Sequence, residues 1–449
     1  MKNKLAVLLF FALITIGGFA QQTTTKIFDE VLFYDGYAAR VDLPVPADVI
    51  RHRNDLYAKK ITDQQLASFG NEITMNVVIK AACDNYDRIG NVNLALVPKG
   101  QTTYELSDVL VQRLELGRYI TPFMSKNRSP KEVPFSFELN NISRVFRDRS
   151  VLERYDIWLE LELFGVPYSA QNEVSGCAGR TDVFYGSVDI VSNAPNPTEV
   201  VDDLVLLPLL FKHELNNYQA GASDVLGQTK KTVTFELDQK VYNAKLYLIT
   251  SNHGADTRGE EYVRRKHFAY FDNSLVLEYK PGGKSCEPYR KYNTQGNGIY
   301  SPVVRTEADW TSWNNWCPGD VIPIRIIDLG TLEAGTHHFA LDVPDAEFFG
   351  GKGMFPLSLY LQAHDKPYNA SVREIAESSL VLYPNPTSAV LTISAQEPVS
   401  HLEVFDLTGK KIGVSQTQNF DFSRCAAGTY VVKITWENGA VSHRKIIKN

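Results

Sequence analysis

The chain has 449 residues, 44% of them hydrophobic, and a formal net charge of −6 at pH 7. This length exceeds what one hydrophobic core ordinarily supports, so two or three globular domains are expected. The mildly negative charge, with no basic patch, argues against nucleic acid and anionic membranes as partners.

The N-terminus has the pattern of an export signal. The basic "MKNK" precedes the apolar "LAVLLFFALITIGGFA", which ends in small residues. This order is typical of a cleaved signal peptide, which we predict at residues 1–20. Downstream apolar runs are too short to span a bilayer. The mature protein is therefore predicted to be exported.

Most of the remaining chain has a β pattern. Short alternating runs such as "VPFSFELN", "DVFYGSVDIVS" and "KKTVTFELD" recur with turns between them, and the Pro/Asn-rich "NAPNPTE" (193–199) is a credible boundary. Helical periodicity is scarce, and "SDVLVQRLE" is the nearest candidate helix. We predict an N-terminal domain at residues 21–195 and a C-terminal domain at 196–366, each a sandwich or jelly roll.

The residue pattern changes after "HDKPYNASVREIAESS", where we predict a linker at residues 367–378. Residues 379–449 form a compact module whose alternation predicts a small β-sandwich. Its "YPNP", "LEVFDLTGKKI" and "GTYVVKI" resemble the C-terminal sorting domain of type IX secretion cargo in Bacteroidetes. That resemblance implies recognition by the secretion machinery, passage through periplasm and outer membrane, and a secreted or cell-surface protein. A small carbohydrate-binding or immunoglobulin-like module is the alternative.

The usual catalytic motifs do not occur in the sequence. It contains no G-x-S-x-G, HExxH or P-loop. His337 and His338 are adjacent, so on a strand they face opposite sides and cannot share a metal. His253 lies in "TSNHGAD", where it is either a solvated loop residue or part of a polar site wall. No metal or organic cofactor is expected.

Carboxylates are the remaining candidates for chemistry, because paired acids can hydrolyse a bond by acting as base and acid. They cluster in "CDNYDR", in "DIWLELELF", and in "DTRGEEYVRRKHF". Glu160 and Glu162 are two residues apart and so share one side of a strand. By spacing alone, each of these acids is more often a surface residue or an ion-pair partner.

These segments, in this order, resemble the peptide-N-glycosidase F family over about residues 70–366. The matching stretches are "CDNYDRIGNVNL", "LGRYITPF", "IWLELELF", "ITSNHGADTRGEEY" and "WNNWCPGDVIPIRIIDL". The resemblance implies two side-by-side antiparallel jelly rolls. It also implies hydrolysis of the β-aspartylglucosamine amide of an N-glycoprotein or glycopeptide, which releases the glycan and converts Asn to Asp.

The resemblance assigns roles to individual positions. Asp87 matches the principal catalytic aspartate, Glu261 the glutamate across the cleft, and Glu160 a strand glutamate on the sugar side. Arg88 matches an arginine that organises the site and binds substrate. The positions expected to contact substrate are Arg88, Tyr86, His253, Trp316 and Glu162, and Glu162 replaces an expected tryptophan.

Five cysteines are present, and export permits disulfides. Cys286 and Cys317 match a long-loop disulfide of the family. Cys83 lacks its family partner, and we hypothesise that it pairs with Cys177. Cys425 lies in the sorting module and is left over.

Two other functions remain open. A non-catalytic glycan-binding protein on the same scaffold is favoured by the absence of the arginine that the family carries shortly before "WCPG". A copper monooxygenase is disfavoured, because the histidines are poorly spaced and the chain has only four methionines. Nothing in the sequence indicates more than a monomer.

Overall fold

A computed structural model describes residues 22–196, 200–255, 258–300, 304–367, 380–395, 399–406, 409–436 and 441–449. The chain divides into two compact units, Met1–Lys366 and Pro367–Asn449. The predicted signal peptide, and the predicted linker beyond residue 367, lie outside the described residues.

The first half of the larger unit is a β-sandwich with antiparallel pairing. One sheet has the order β1-β9-β4-β7, from β1 Thr23–Tyr34, β4 Ile73–Ala81, β7 Glu132–Glu138 and β9 Asp182–Ser192. The other has the order β15-β6-β5-β8-β3-β2, from β2 Val49–Arg53, β3 Leu56–Lys60, β5 Ile89–Pro98, β6 Gln112–Ile120, β8 Tyr155–Leu163 and β15 Val321–Ile322. Residues 25–70 thus contribute strands to both sheets.

Alternation explains how this sandwich forms its core. In β4, "ITMNVVIKA", every second residue is buried, beginning with Ile73, while the residues between them are partly exposed. Side chains on a strand alternate between faces, so one face packs inward and the other meets water.

The second half of the larger unit is also a sandwich of antiparallel sheets. One sheet has the order β10-β18-β12-β16, from β10 Leu204–Leu215, β12 Val241–Thr250, β16 Arg325–Leu332 and β18 Phe355–His364. The other has the order β11-β17-β13-β14, from β11 Lys230–Leu237, β13 His267–Phe271, β14 Ser274–Tyr279 and β17 Gly335–Asp342.

The two sandwiches share an extensive junction. The short strand β15 belongs to the second half of the chain but pairs with β6 of the first, Val321 with Tyr119 and Ile322 with Arg118. Arg118 is fully buried; it binds Glu115 on its own strand and donates at 2.8 Å to both the Ser251 hydroxyl and the Pro356 carbonyl. These contacts hold the two sandwiches together.

Helices are short and lie between strands. They are α1 Asp63–Leu66, α2 Ile142–Arg147, α3 Arg149–Arg154, α4 Tyr168–Glu173, α5 Glu307–Trp313 and a 3₁₀ helix at Glu287–Tyr292. The candidate helix at "SDVLVQRLE" is wrong, because its first residues lie in turns and its last four, "QRLE", begin β6. Pairing with β5 overrides the local periodicity. Among the described residues, no helix has the length and apolarity to cross a bilayer.

The C-terminal unit is a small β-sandwich with its own core around Trp436 and Leu402. Its sheets have the orders β19-β20-β23 and β22-β21-β24-β25, from β19 Val381–Tyr383, β20 Val390–Ser394, β21 Val399–Asp406, β22 Lys411–Ser415, β23 Asn419–Asp421, β24 Gly428–Trp436 and β25 Val441–Lys448. The prediction of two jelly-roll domains and a small β module is thereby confirmed.

Two disulfides are formed. Cys83 pairs with Cys177 and Cys286 with Cys317, while Cys425 is a free thiol. Both predicted pairings are therefore present.

Candidate active site

Asp87 lies in the loop that connects β4 to β5, and Asp84 shapes this loop. Oδ1 of Asp84 accepts from the Tyr86 N–H at 3.0 Å, which makes a local turn typical of aspartate. Its Oδ2 accepts from the Val166 N–H at 2.7 Å, and Cys83 next to it is bonded to Cys177. Asp84 is thus structural, and it fixes where Asp87 lies.

Arg88 is held beside Asp87 by the same aspartate. Its Nε donates to Asp84 Oδ2 at 2.7 Å and its Nη2 to Oδ1 at 3.3 Å. The Arg88 N–H also donates to the Thr121 hydroxyl at 2.8 Å. Among the described residues Nη1 has no partner, so this face of the guanidinium is available to a ligand. A bidentate pair fixes the plane of the guanidinium.

Glu261 is contributed by the loop between β12 and β13 of the second sandwich. The Gly254 N–H donates to its Oε2 at 3.3 Å, and the Tyr262 hydroxyl is also hydrogen-bonded to this carboxylate. Gly254 has φ +135°, and a Cβ there would lie 3.0 Å from the Cα of Gly353. Only glycine adopts this conformation easily, which explains the glycine of "NHGAD".

Two buried groups hold the Glu261 loop from behind. Glu260 is fully buried and accepts from Arg265 Nη2 at 2.8 Å and from the Glu347 N–H at 2.9 Å. The side-chain amide of Asn315 donates to the carbonyls of Glu260, Glu261 and Val263, at 2.9, 2.7 and 3.2 Å. Of the two adjacent glutamates, Glu260 is therefore a support, and Glu261 is the one whose charge acts on Asp87.

Asp87 lies close enough to Glu261 for that carboxylate to affect its protonation. Burial first, and the Glu261 carboxylate second, raise the pKa of Asp87 to about 8, although Arg88 opposes the shift. Burial also raises the pKa of Glu261, against its bonds from Tyr262 and Gly254. Two carboxylates in a shielded site cannot both ionise easily, so the pair retains a proton near neutral pH.

Aromatic side chains surround this pair. Tyr86 is 42% exposed, with its ring 5.6 Å from Phe123 and under the Arg88 guanidinium. Tyr262 is at the surface, and both it and the buried Tyr300 have pKa values raised mainly by burial and further by Asp87. The carboxylate pair is thus partly shielded and is bordered by aromatic side chains.

Glu160 lies away from this cluster. It is 1% exposed and accepts from the Tyr104 hydroxyl at 2.7 Å and from Arg113 Nε at 2.8 Å. On β8 it pairs with Asn93, and roughly 20 Å of extended chain separates Asn93 from Asp87. The structure does not bring Glu160 to Asp87, and its predicted catalytic role stays a prediction.

Glu162, on the same face of β8, also takes part in ion pairs. It accepts from Arg53 Nη2 at 2.7 Å and forms an ion pair with Lys212 of the second sandwich. Burial alone would raise the pKa of Glu162, but Lys212 and Arg53 bring it below its usual range. Its predicted contact with substrate is untested, and its described contacts join the two sandwiches.

His253 and Trp316 are buried at the junction of the sandwiches. His253 Nε2 lies 2.7 Å from the Ser251 hydroxyl, and burial, aided by Arg118, lowers its pKa to about 3, so it is neutral. Trp316 is 9% exposed and donates to the Asn252 carbonyl at 2.8 Å. Their predicted substrate contacts likewise stay predictions.

Sequence reasoning gave no role to Asn315, Arg118 or Tyr300. Arg118 and Asn315 lie inside the quoted "LGRYITPF" and "WNNWCPGD", so these motifs marked the junction but not what each side chain does. Tyr300 lies outside every quoted motif, and nothing local indicated it. In the described part of the chain, no group of three His, Cys, Asp or Glu side chains is placed to hold a metal ion.

The fold and the site together define a double jelly-roll protein with a pair of carboxylates, one from each roll. The sequence model "Peptide-N-glycosidase F, N terminal" matches residues 24–177, and "Peptide-N-glycosidase F, C terminal" matches residues 222–362. Together these matches span more than half of the chain, which belongs to the peptide-N-glycosidase F family. The resemblance stated from the sequence is confirmed.

A third model, "Secretion system C-terminal sorting domain", matches residues 381–449. This domain directs export, so the protein is secreted or held at the cell surface. None of the curated proteins compared with the chain matches it.

Solved structures share the fold at low sequence identity. PNGF-II in a P21 crystal form is 18% identical with a TM-score of 0.53, and the alignment covers 76% of this chain and 65% of that one. Its C2 form is 17% identical with a TM-score of 0.51, covering 78% and 66%. PNGase F, a glycosylasparaginase from Flavobacterium meningosepticum, is 17% identical with a TM-score of 0.48, covering 77% and 97%. The chain thus spans about two thirds of the length of PNGF-II.

Proposed function

We propose that this protein hydrolyses the β-aspartylglucosamine amide bond, releasing N-linked glycans from glycoproteins or glycopeptides and converting Asn to Asp. The observation that carries the proposal is the pairing of Asp87 with Glu261 across the two sandwiches, with raised pKa values on both. A pair that retains one proton supplies an acid and a base together, which amide hydrolysis requires.

The reaction balances on this single proton. Ionised Glu261 accepts a proton from water as its oxygen attacks the amide carbonyl carbon. Protonated Asp87 gives its proton to the amide nitrogen as the C–N bond breaks. The sugar leaves as a glycosylamine, which later loses ammonia, and the peptide keeps an aspartate. Transfer of the proton from Glu261 back to Asp87 restores the pair.

Arg88 is suited to stabilise the oxyanion that forms on the attacked carbonyl. Its position is fixed by Asp84, and an oriented cation in a shielded site stabilises developing charge more than one in water does. We assign the half-exposed ring of Tyr86 to contact with the first sugar. We further propose that the type IX secretion machinery recognises the C-terminal unit and that the protein acts as a monomer.

Incubation with a denatured N-glycoprotein in heavy-oxygen water tests the proposal. The expected result is labelled aspartate at the former glycosylation sites, detected by peptide mass spectrometry. Asp87→Asn should abolish labelling, whereas Asp29→Asn, at an exposed acid of β1, should leave it unchanged. A substrate mass unchanged after long incubation, together with measurable glycan binding, would instead identify a non-catalytic glycan-binding protein.

A further inference from the structure

A pair of exposed tyrosines lies on the first sandwich. Tyr37 is 73% exposed and Tyr168 is 51% exposed. The Tyr37 ring packs edge-on against Phe164 with centroids 5.0 Å apart. Both rings present apolar faces to water and belong to no core cluster, so their faces are accessible to a ligand.

The sheet topology places these rings beside the proposed active site. Gly90, at the start of β5, pairs with Leu163, at the end of β8. The loops before β5 and after β8 therefore leave the same end of the sheet, about 5 Å apart. Asp84 bridges them, because it accepts from both Arg88 and the Val166 N–H. Tyr168 follows Val166 by two residues.

The fold holds both rings in place. The Gly36 N–H donates to the Gly165 carbonyl at 2.9 Å, and a Cβ on Gly36 would lie 2.6 Å from the Phe164 ring. Asp35 Oδ1 accepts from the Tyr37 N–H at 3.0 Å and from the Tyr168 hydroxyl at 3.4 Å. A ligand binding here would order few groups, which favours affinity.

The chemistry of this surface suits a sugar. Asp35 is 6% exposed, and its Oδ1 accepts both of its bonds among the described residues, so Oδ2 is the acceptor that remains for a hydroxyl. Tyrosine rings offer flat apolar faces with a polar tip, which match the C–H face and the hydroxyl edge of a pyranose. An extended peptide would instead need free backbone partners, and the N–H groups of Gly36 and Tyr37 are already bonded.

We propose that Tyr37, Tyr168 and Asp35 form an outer saccharide subsite that binds glycan units beyond the GlcNAc attached to asparagine. The inference rests on the proposed function for its placement along the substrate. It predicts that catalytic efficiency depends on these tyrosines only when the glycan extends past the first sugar.

Binding is tested in the inactive Asp87→Asn protein with the released pentasaccharide core of N-glycans, by calorimetry. Adding Tyr37→Ala and Tyr168→Ala should weaken binding by about tenfold or more. Tyr37→Phe with Tyr168→Phe keeps both rings and should retain most of the affinity. Tyr383→Ala, at an exposed tyrosine of the C-terminal unit, is the matched control. Equal affinity in the double alanine variant and its parent overturns the proposal.

Turnover is tested in the otherwise unaltered protein. In the double alanine variant, KM for a glycopeptide that carries the pentasaccharide should rise about tenfold. KM for a glycopeptide that carries a single GlcNAc should stay unchanged. An equal loss on both substrates, or loss of binding to the sugar-free peptide, contradicts the subsite. If the tyrosines govern glycan binding but no substrate is hydrolysed, the subsite holds and the proposed function fails.

Discussion

Asp87 combines two properties that oppose each other. Its position, half-buried and near Glu261, raises its pKa to about 8, which suits proton transfer near neutral pH. The same burial makes its ionised form costly to the fold. Sites of this kind trade stability for activity.

The cost of burying the ionised Asp87 carboxylate predicts how the stability of Asp87→Asn depends on pH. The folded pKa of Asp87 lies above its ordinary value of 3.8. The stability that protonated Asp87 contributes is therefore fully present below about pH 4 and is lost as pH rises through about 8. Asparagine cannot ionise, so the variant should match the natural protein near pH 4. Above pH 8 it should be more stable by about 1–3 kcal/mol.

Denaturant unfolding at pH 4, 6 and 8.5 measures this difference. Asp29→Asn serves as the control, since Asp29 forms an exposed pair with Lys26. Identical stabilities of Asp87→Asn and the natural protein at all three pH values would show that the ionised Asp87 carboxylate does not destabilise the fold.

Glu160 has two possible roles that a mutation can distinguish. The family resemblance assigns it to the sugar side of the substrate, whereas its contacts indicate a structural ion pair. Its bonds to Tyr104 and Arg113 are buried, so Glu160→Gln weakens an ion pair inside the protein. We expect a loss of about 1–3 kcal/mol of unfolding free energy, with KM for a glycopeptide changed less than about threefold. A large rise in KM without loss of stability would support the sugar contact that the resemblance implies.

At the scale of elements, the loop that carries Glu261 is held by a segment distant in sequence. Asn315 follows α5 and bonds three carbonyls of this loop. Its neighbour Trp316 bonds the carbonyl of Asn252, where the same loop begins. Proximity catalysis requires the reacting groups to be held within a fraction of an ångström, so this segment is expected to position Glu261.

Asn315→Ala should therefore affect turnover more than binding. We expect kcat to fall about ten- to a hundredfold with KM nearly unchanged, because the Glu261 loop loses its three hydrogen bonds. The Asp87 pKa, followed by carbon NMR, should fall as Glu261 moves away. Asn76→Ala, at a residue on the outer face of β4 that accepts from Ser136, is the control. An unchanged kcat would contradict the positioning role.

At the scale of the whole molecule, the larger unit is tied by two disulfides and a polar junction. The cysteines of Cys83–Cys177 are 94 residues apart and those of Cys286–Cys317 are 31 apart. In the chain-entropy description, closing such loops stabilises the fold by about 5 and about 4 kcal/mol. The first disulfide supports the Asp87 loop and the second the segment that holds Asn315.

Replacing each pair with alanine tests these contributions. Cys83→Ala with Cys177→Ala should cost up to about 5 kcal/mol, and the corresponding change at Cys286 and Cys317 up to about 4 kcal/mol. Calorimetry of the larger unit's transition measures both. Cys425→Ala changes the free thiol of the C-terminal unit and should leave that transition unmoved. An unchanged melt in either double variant would contradict the expected support.

Much of the architecture followed from the sequence, because alternation along strands and turn residues are local signals. They predicted the β class and the small C-terminal module, and ordered motifs identified the family. These signals gave a wrong prediction at "SDVLVQRLE", where pairing with β5 makes the end of the segment a strand. They also did not indicate the short strand β15, which pairs with a sheet of the other sandwich.

The tertiary structure alone decided which polar residues are enclosed and which come together. In β18, "FPLSLYLQAH", alternation would predict a solvated polar face, yet every residue is buried because that face packs on the first sandwich. Likewise Glu160 and Glu261 have equally suggestive motifs. Glu160 is enclosed with its partners Arg113 and Tyr104. Glu261, from the second sandwich, instead lies near enough to Asp87 to raise its pKa. Sequence spacing records neighbours along the chain, whereas burial and the approach of like charges depend on segments far apart in sequence.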